Sequence, residues 1–196
     1  NRKNGKILFK KVEVFEPVQL RITSKPVTYY TSAVDLRIAE IKEAEAILDS
    51  DKLIKLQIDV GELGRRQIVA GIRKFYQPAE LVGKKIIVVA NLKPVKLRGV
   101  DSNGMLLAAE DSKQVEVISP AGENGEKVFA DGMKFNAEQS SADFASRSEP
   151  ANEIEISELE KLNLKVENGR LAANGRVLKT LNGEVKMKFI SNGSVR

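Results

Sequence analysis

The side chains most able to do chemistry in this sequence are cations gathered in one stretch. Ala90 to Met105, ANLKPVKLRGVDSNGM, places Lys93, Lys96 and Arg98 within six positions, with no carboxylate until Asp101. Upstream, Arg65 and Arg66 open a run of β-formers, and Lys84 and Lys85 precede another. Residues 52–98 together carry eleven Lys/Arg against three acids, and residues 1–30 carry seven against two. The whole chain is only +5, so the rest of it is acidic. A clustered cationic surface beside an acidic remainder points to a polyanionic partner. Asn91 and Ser102 flank the cations. Each is a candidate for a phosphate or a ribose 2′-hydroxyl, and each could instead hydrogen-bond its own turn.

Catalytic chemistry has few carriers. The 196 residues contain no His and no Cys. This removes the commonest general base, the commonest metal ligands and every Ser-His or Cys-His arrangement. An enzyme would have to run on carboxylates, Lys or Tyr. The carboxylates of Asp49-Ser50-Asp51 and Glu110-Asp111 read as solvated loops. Gly61 to Gly64, GELG, lacks the Lys-Ser/Thr of a phosphate-binding loop. We expect no catalytic residue, no cofactor and no metal. Nor does any apolar run approach the roughly 20 residues that cross a bilayer. The chain starts at Asn and is expected to be a fragment or processed product of a cytoplasmic protein.

The elements that must position the cations read as β. Val34 to Ile41 alternates apolar and polar, the pattern of a half-buried strand. Lys52 to Val60, Arg65 to Ile72, Lys84 to Ala90 and Gly104 to Ala109 supply four more strands. Phe75 to Leu81 reads as a short helix with Pro78 at its start and Phe75 packed inward. Five strands with a helix between the third and fourth suit a small closed barrel of the OB type. Aromatics make up only 5% of the chain, with no Trp. A stacking platform for single strands is therefore poorly supplied, and phosphate contacts with shape recognition of a folded RNA are expected. Further on, residues 136–152 read as a polar connection. Ile156 to Leu164 reads as a helix capped by Ser157, and LKVENG, GRVLKT and EVKMKFI as strands joined by Asn-Gly turns.

From Ser32 to Glu110 the sequence resembles the tRNA-binding OB domain attached to several aminoacyl-tRNA synthetases. The matching segments are VDLRIAEI, DKLIKLQIDVGE, RQIVAGI, KFYQPAEL and VGKKIIVVANLKPVKLRGVDSNGMLLAAE. The same domain occurs as a small bacterial tRNA-binding protein and in endothelial monocyte-activating polypeptide II. PAGENGEKVFADG at 120–132 resembles the extension that follows the barrel in the polypeptide II group. The resemblance implies a mostly β chain: a lead-in at 1–31, a five-stranded OB barrel at 32–114, and an α+β extension at 115–196 packed on the barrel. It further implies a monomer in which the extension takes the place of a dimer partner. GKILFKKVE resembles a segment near the end of the anticodon-binding part of methionyl-tRNA synthetases, so the owner is expected to be such an enzyme, with tyrosyl and lysyl enzymes or a stand-alone cofactor as alternatives.

Carried over by motif, the tRNA-binding positions are Asn91 and Lys93 of NLKP, the basic pair Lys96 and Arg98, and Ser102 and Met105 of S-x-GM. Arg65, Arg66, Lys84 and Lys85 join them on charge. Three departures stand out. The usual HPxAD is Leu48-Asp49-Ser50-Asp51, and the usual IVSG is Ile68-Val69-Ala70-Gly71, without its hydroxyl. Arg37-Ile38-Ala39-Glu40-Ile41 carries an acid where the cytokine-linked RIGRI has a base. The function implied is a non-catalytic, sequence-nonspecific tRNA-binding module serving a tethered synthetase. Its partners are expected to be tRNA and other synthetases or the parent catalytic domain, with no membrane. The alternative is a protein-interaction or cytokine-like module.

Overall fold

A computed structural model describes residues 33–132 and 152–196. The expected lead-in at 1–31 and most of the polar connection at 136–152 lie outside the described residues. The first sheet has the order β3-β2-β1-β4-β7, antiparallel throughout, with β1 at Leu36–Ala46, β2 at Ile54–Asp59, β3 at Arg65–Ala70, β4 at Lys85–Val89 and β7 at Met105–Leu106. The long first strand changes partner along its length. Leu36 to Glu40 pair with β4, and Glu40 to Ala46 pair with β2. A register shift between Ile41 and Glu43 separates the two pairings and bends the strand, which curls the sheet into a nearly closed barrel. Between β4 and β7 lies a two-stranded hairpin, β5 (Val95–Leu97) with β6 (Val100–Ser102).

The helix α1, Pro78–Leu81, has Pro at its first turn and a capping box between Gln77 and Glu80. It sends Leu81 into the barrel interior beside Ile41, Leu56, Ile68, Ile86 and Val88. Phe75, expected to pack inward from this helix, is instead 46% exposed. The Arg196 guanidinium lies over its ring, 5.5 Å from the centroid. Tyr76 takes the inward position, and its hydroxyl accepts the Val117 N–H and donates to the Val115 carbonyl.

The second sheet has the order β10-β13-β12-β11-β15-β8-β9, with β14 paired to β13. Its strands are β8 (Ala108–Glu110), β9 (Val115–Val117), β10 (Phe129–Ala130), β11 (Leu164–Glu167), β12 (Arg170–Ala173), β13 (Arg176–Thr180), β14 (Gly183–Glu184) and β15 (Gly193–Val195). The expected single strand from Gly104 to Ala109 is thus divided. Met105–Leu106 stay in the barrel, and Ala108–Glu110 join the second sheet. Asn168-Gly169 and Asn174-Gly175 have positive φ at both positions, the geometry that closes two-residue hairpins. β12 and β15 carry little signal in the sequence because they are short and weakly alternating. Of EVKMKFI, Glu184 ends β14, Lys186 forms an antiparallel bridge with Arg170, and Val185 and Met187 bond the backbone of Leu171, Leu178 and Gly169, so the expected strand is present only in part. The helix α2, Ile156–Glu160, begins after Glu155, so Ser157 is not its cap.

What the last three residues of EVKMKFI do instead is explained by Glu116. This buried carboxylate accepts the backbone N–H groups of Lys188, Phe189 and Ile190 at 2.6, 2.9 and 3.0 Å. Three charge-assisted bonds replace a ladder there. Glu116→Ala should therefore destabilise the chain by about 2–4 kcal/mol, read as a lower urea midpoint at unchanged m-value. An unchanged midpoint would mean that water replaces the carboxylate at no cost.

The two sheets share an apolar layer. Leu36, Ile38, Ile87, Val89 and Leu107 of the barrel pack with Ile154, Leu159, Leu171, Leu178, Val185 and Ile190 of the extension. Residues of β1 and β4 that alternate with these face the barrel interior. Both strands are therefore covered on both faces, which is why β4 reads as a continuous apolar run. The expected half-buried first strand is corrected accordingly: Leu36 to Ala39 are all buried.

Candidate nucleic-acid interface

The barrel is not closed by a ladder between β3 and β7. Ser102 and Asn103 close the gap. The Ser102 hydroxyl accepts the Val69 N–H at 2.9 Å and donates to the Gly104 carbonyl at 3.1 Å, while the Asn103 N–H bonds the Gln67 carbonyl. Gln67 returns a bond from its amide to the Asp101 carbonyl. The β5–β6 hairpin stands out from this seam, and its turn is Arg98-Gly99. Both turn residues have positive φ, 49° and 80°. Arg lacks the local compensation that lets Asn adopt this conformation cheaply, so the tip holds a cation at a position where sterics disfavour it.

The loop that leads into the hairpin is fastened from three directions. The Asn91 side chain is buried. Its Oδ1 accepts the Asp35 N–H at 2.8 Å, and its Nδ2 donates to the carbonyls of Ala33 at 2.7 Å and Asn152 at 2.6 Å. Its backbone carbonyl accepts the Ile154 N–H, and the Lys93 N–H bonds the Ile154 carbonyl. One amide thereby joins the start of β1, the exit of β4 and the stretch Asn152–Ile154 of the extension. The Arg66 guanidinium adds a bond to the Ala90 carbonyl.

This arrangement sorts the residues singled out by sequence. Lys93, Lys96 and Arg98 are exposed around the hairpin, and Arg66 reaches the same strand exit from β3. Met105 lines the groove beside them. Asn91 and Ser102 turn their polar atoms inward, so their place is behind the surface, holding the loop and the seam. Arg65 is exposed at the first residue of β3. Lys84 and Lys85 sit at the opposite end of β4 from Asn91, roughly 20 Å away along the strand. Lys85 there approaches Glu40 at 4.0 Å.

The cations also have acidic neighbours that local spacing does not reveal. Lys93 Nζ lies 2.9 Å from Glu155 Oε1, and Lys96 Nζ lies 3.4 Å from Asp101 Oδ1 across the hairpin. The Glu155 hydrogen bond, then its charge and that of Glu153, raise the Lys93 ammonium above the usual lysine value. Lys93 and Lys96 side chains remain 59% and 63% exposed, so these pairs are open to exchange with another anion. Glu155 was visible in sequence only as part of an acidic run. Arg196, which pairs with Glu110 at 3.0 Å and covers Phe75, left no local signal. Among the described residues, no group of three or more His, Cys, Asp or Glu could hold a metal ion. No helix among them is long and apolar enough to cross a membrane.

The family model described as "Putative tRNA binding domain" matches residues 36–127. The chain is 53% identical over 97 residues to the methionine–tRNA ligase of Listeria monocytogenes, covering 48% of this chain and 15% of that enzyme. It is 47% identical over 126 residues to the methionine–tRNA ligase of Thermotoga maritima, covering 61% of this chain and 20% of that enzyme. The chain thus spans a fifth or less of the length of these relatives. Its structure is similar to the crystal structure of the C-terminal domain of Plasmodium vivax p43, with a TM-score of 0.69 at 25% identity over 84% of this chain and 98% of that one. That likeness extends beyond the barrel into the second sheet. Residues 36–127, which include the barrel, thus match the tRNA-binding domain family, and this region is a binding module and not a catalytic one.

Proposed function

We propose that this chain holds tRNA through phosphates and overall shape, with little sequence preference, and retains it for a tethered methionyl-tRNA synthetase. The observation that carries this reading is the hairpin at the barrel seam, where Lys93, Lys96 and Arg98 stand exposed on a loop that Asn91 and Ser102 hold in place. The contacts come from flexible cations, which suit phosphates better than base edges. A weak second site on the same polypeptide raises the effective tRNA concentration at the catalytic domain without any new specific contact. Arg66 extends the same surface through its bond to the Ala90 carbonyl, Arg65 is exposed one residue before it, and Lys84 and Lys85 would be reached only by a ligand that runs the length of β4. The setting proposed is a cytoplasmic monomer, because the extension covers the outer face of β1 and β4 with its own apolar layer.

A salt titration of binding to labelled total tRNA tests this, with single-stranded RNA of equal length as competitor. Three to four phosphate contacts predict a slope of log K against log salt near −3. Folded tRNA should win over the single strand. Equal affinity for both RNAs would sink the shape reading, and a flat salt dependence would sink the phosphate reading. A second reading is that the extension docks onto other synthetases, and it draws on the exposed Leu181 and Phe189. Association with a synthetase that survives high salt would favour it.

A further inference from the structure

A groove of about 480 Å³ lies beside the cationic hairpin, where the barrel seam meets the extension. The volume falls in the range that holds compact organic ligands. One wall is the seam, with Gly71 and Met105. A second is the hairpin, with Val95 and Leu97, and a third is Ile156 at the start of α2. Val95, Leu97 and Ile156 are 48%, 38% and 47% exposed, high values for apolar side chains gathered in one place. The charge around this apolar floor is mixed, with Lys93 paired to Glu155, Lys96 to Asp101 and Arg196 to Glu110. Lys93 and Arg196 line the groove themselves, and Lys96 and Arg98 follow Val95 and Leu97 on the hairpin. Glu155 lies on the rim with Lys93.

An apolar slot with cations on its edge is complementary to a ligand with flat apolar units on an anionic backbone. We propose that this groove accepts one unstacked nucleobase of the bound RNA, while the rim cations hold the phosphates on either side of it. This rests on the RNA-binding reading above and adds a single-stranded element to it: a tRNA would be held by phosphates along its folded body and pinned by one extruded base. The Arg196 guanidinium, already lying over the Phe75 ring, offers a planar cation at the groove. Guanidinium planes are among the surfaces on which unstacked bases lie. Gly71 leaves room for the base, because a Cβ at this position would meet nothing within 4 Å.

The same opening supplies the test. Gly71 is outside the left-handed region, so Gly71→Leu fills the groove without strain and without altering any charge. Stacking of one base contributes enough that its loss should weaken tRNA binding about tenfold. The slope of log K against log salt should stay as in the unchanged chain, because no phosphate contact is removed. Leu97→Gln, on an exposed hairpin position, gives a second variant with a smaller loss of the same kind, should Gly71→Leu alter the thermal melt. Transfer RNA carrying 4-thiouridine should photocross-link to Val95, Leu97 or Ile156. Full affinity in both variants, or cross-links confined to residues outside the groove, would overturn the base site while the salt slope still upheld phosphate binding. Displacement of tRNA by a neutral apolar peptide, unaffected by Gly71→Leu, would also overturn it. If the unchanged chain binds no tRNA, both readings fall together.

Discussion

Lys96→Glu combined with Arg98→Glu will lower tRNA affinity by about a hundredfold near 0.1 M salt. Each phosphate contact contributes close to 0.9 to the slope of log K against log salt. Removing two phosphate contacts therefore takes away nearly two decades of affinity at about 0.1 M, before any repulsion is counted. The repulsion adds to this, because the Debye length there is about 10 Å and the hairpin is only a few residues long. The slope itself should become shallower by nearly two, a signature that general misfolding would not give. The fold should survive. Both side chains are exposed, and the Lys96–Asp101 pair is a surface pair worth less than about 1 kcal/mol. Reversing Lys84 and Lys85 provides the comparison. Their place at the far end of β4 predicts that affinity falls less than about tenfold, below the effect of removing a single phosphate partner. A larger fall there than at the hairpin would move the RNA-binding surface to the other end of the barrel.

The largest effect on stability should come from Arg37→Met. Arg37 is 1% exposed and lies on the same side of β1 as Ala39 and Ile41. Its Nε and Nη2 bond the two Asp35 carboxylate oxygens at 2.8 and 3.1 Å, and its Nη1 bonds the Gly125 carbonyl at 2.9 Å. Asp35 is itself 5% exposed. Removing the guanidinium leaves a buried carboxylate whose remaining cation among the described residues is Lys127 at 3.9 Å. Breaking a buried pair from one side costs about 3–5 kcal/mol, mostly through the charge left behind. Urea unfolding of Arg37→Met should show a destabilisation of that size. Asp35→Asn combined with Arg37→Met should recover more than half of it, because the stranded charge is gone. If the double variant is no better than the single one, the cost lies in poorer packing or in the Gly125 bond, and not in the stranded carboxylate. The same comparison bears on the RNA surface indirectly. Asp35 also donates its backbone N–H to Asn91, so loosening this corner should loosen the loop that carries Lys93.

The sequence by itself determined the strands whose apolar residues repeat with the right period. Ile54–Asp59 alternates and is half-buried as expected, and Lys85–Val89 reads as a run because both its faces are covered. Asn-Gly turns announced their hairpins, since few residues adopt positive φ at two successive positions. The concentration of cations between 52 and 98 was equally plain. Tertiary structure decided the rest. Periodicity tells which face of a strand is apolar, and it is silent on what arrives from elsewhere to cover the other face. Arg37 looked like a solvent position, and contacts from Gly125 and the polypeptide II-like extension bury it. Asn91 looked like an RNA ligand or a local turn cap. Its partners come from Ala33, Asp35 and Asn152, more than fifty residues away in either direction. The carboxylate beside Lys93 comes from 62 residues downstream. Hydrogen bonds of that range leave no local pattern. The run of cations is therefore legible in the sequence, while only the folded chain shows that it forms a hairpin, which of its residues face outward and which hold them there.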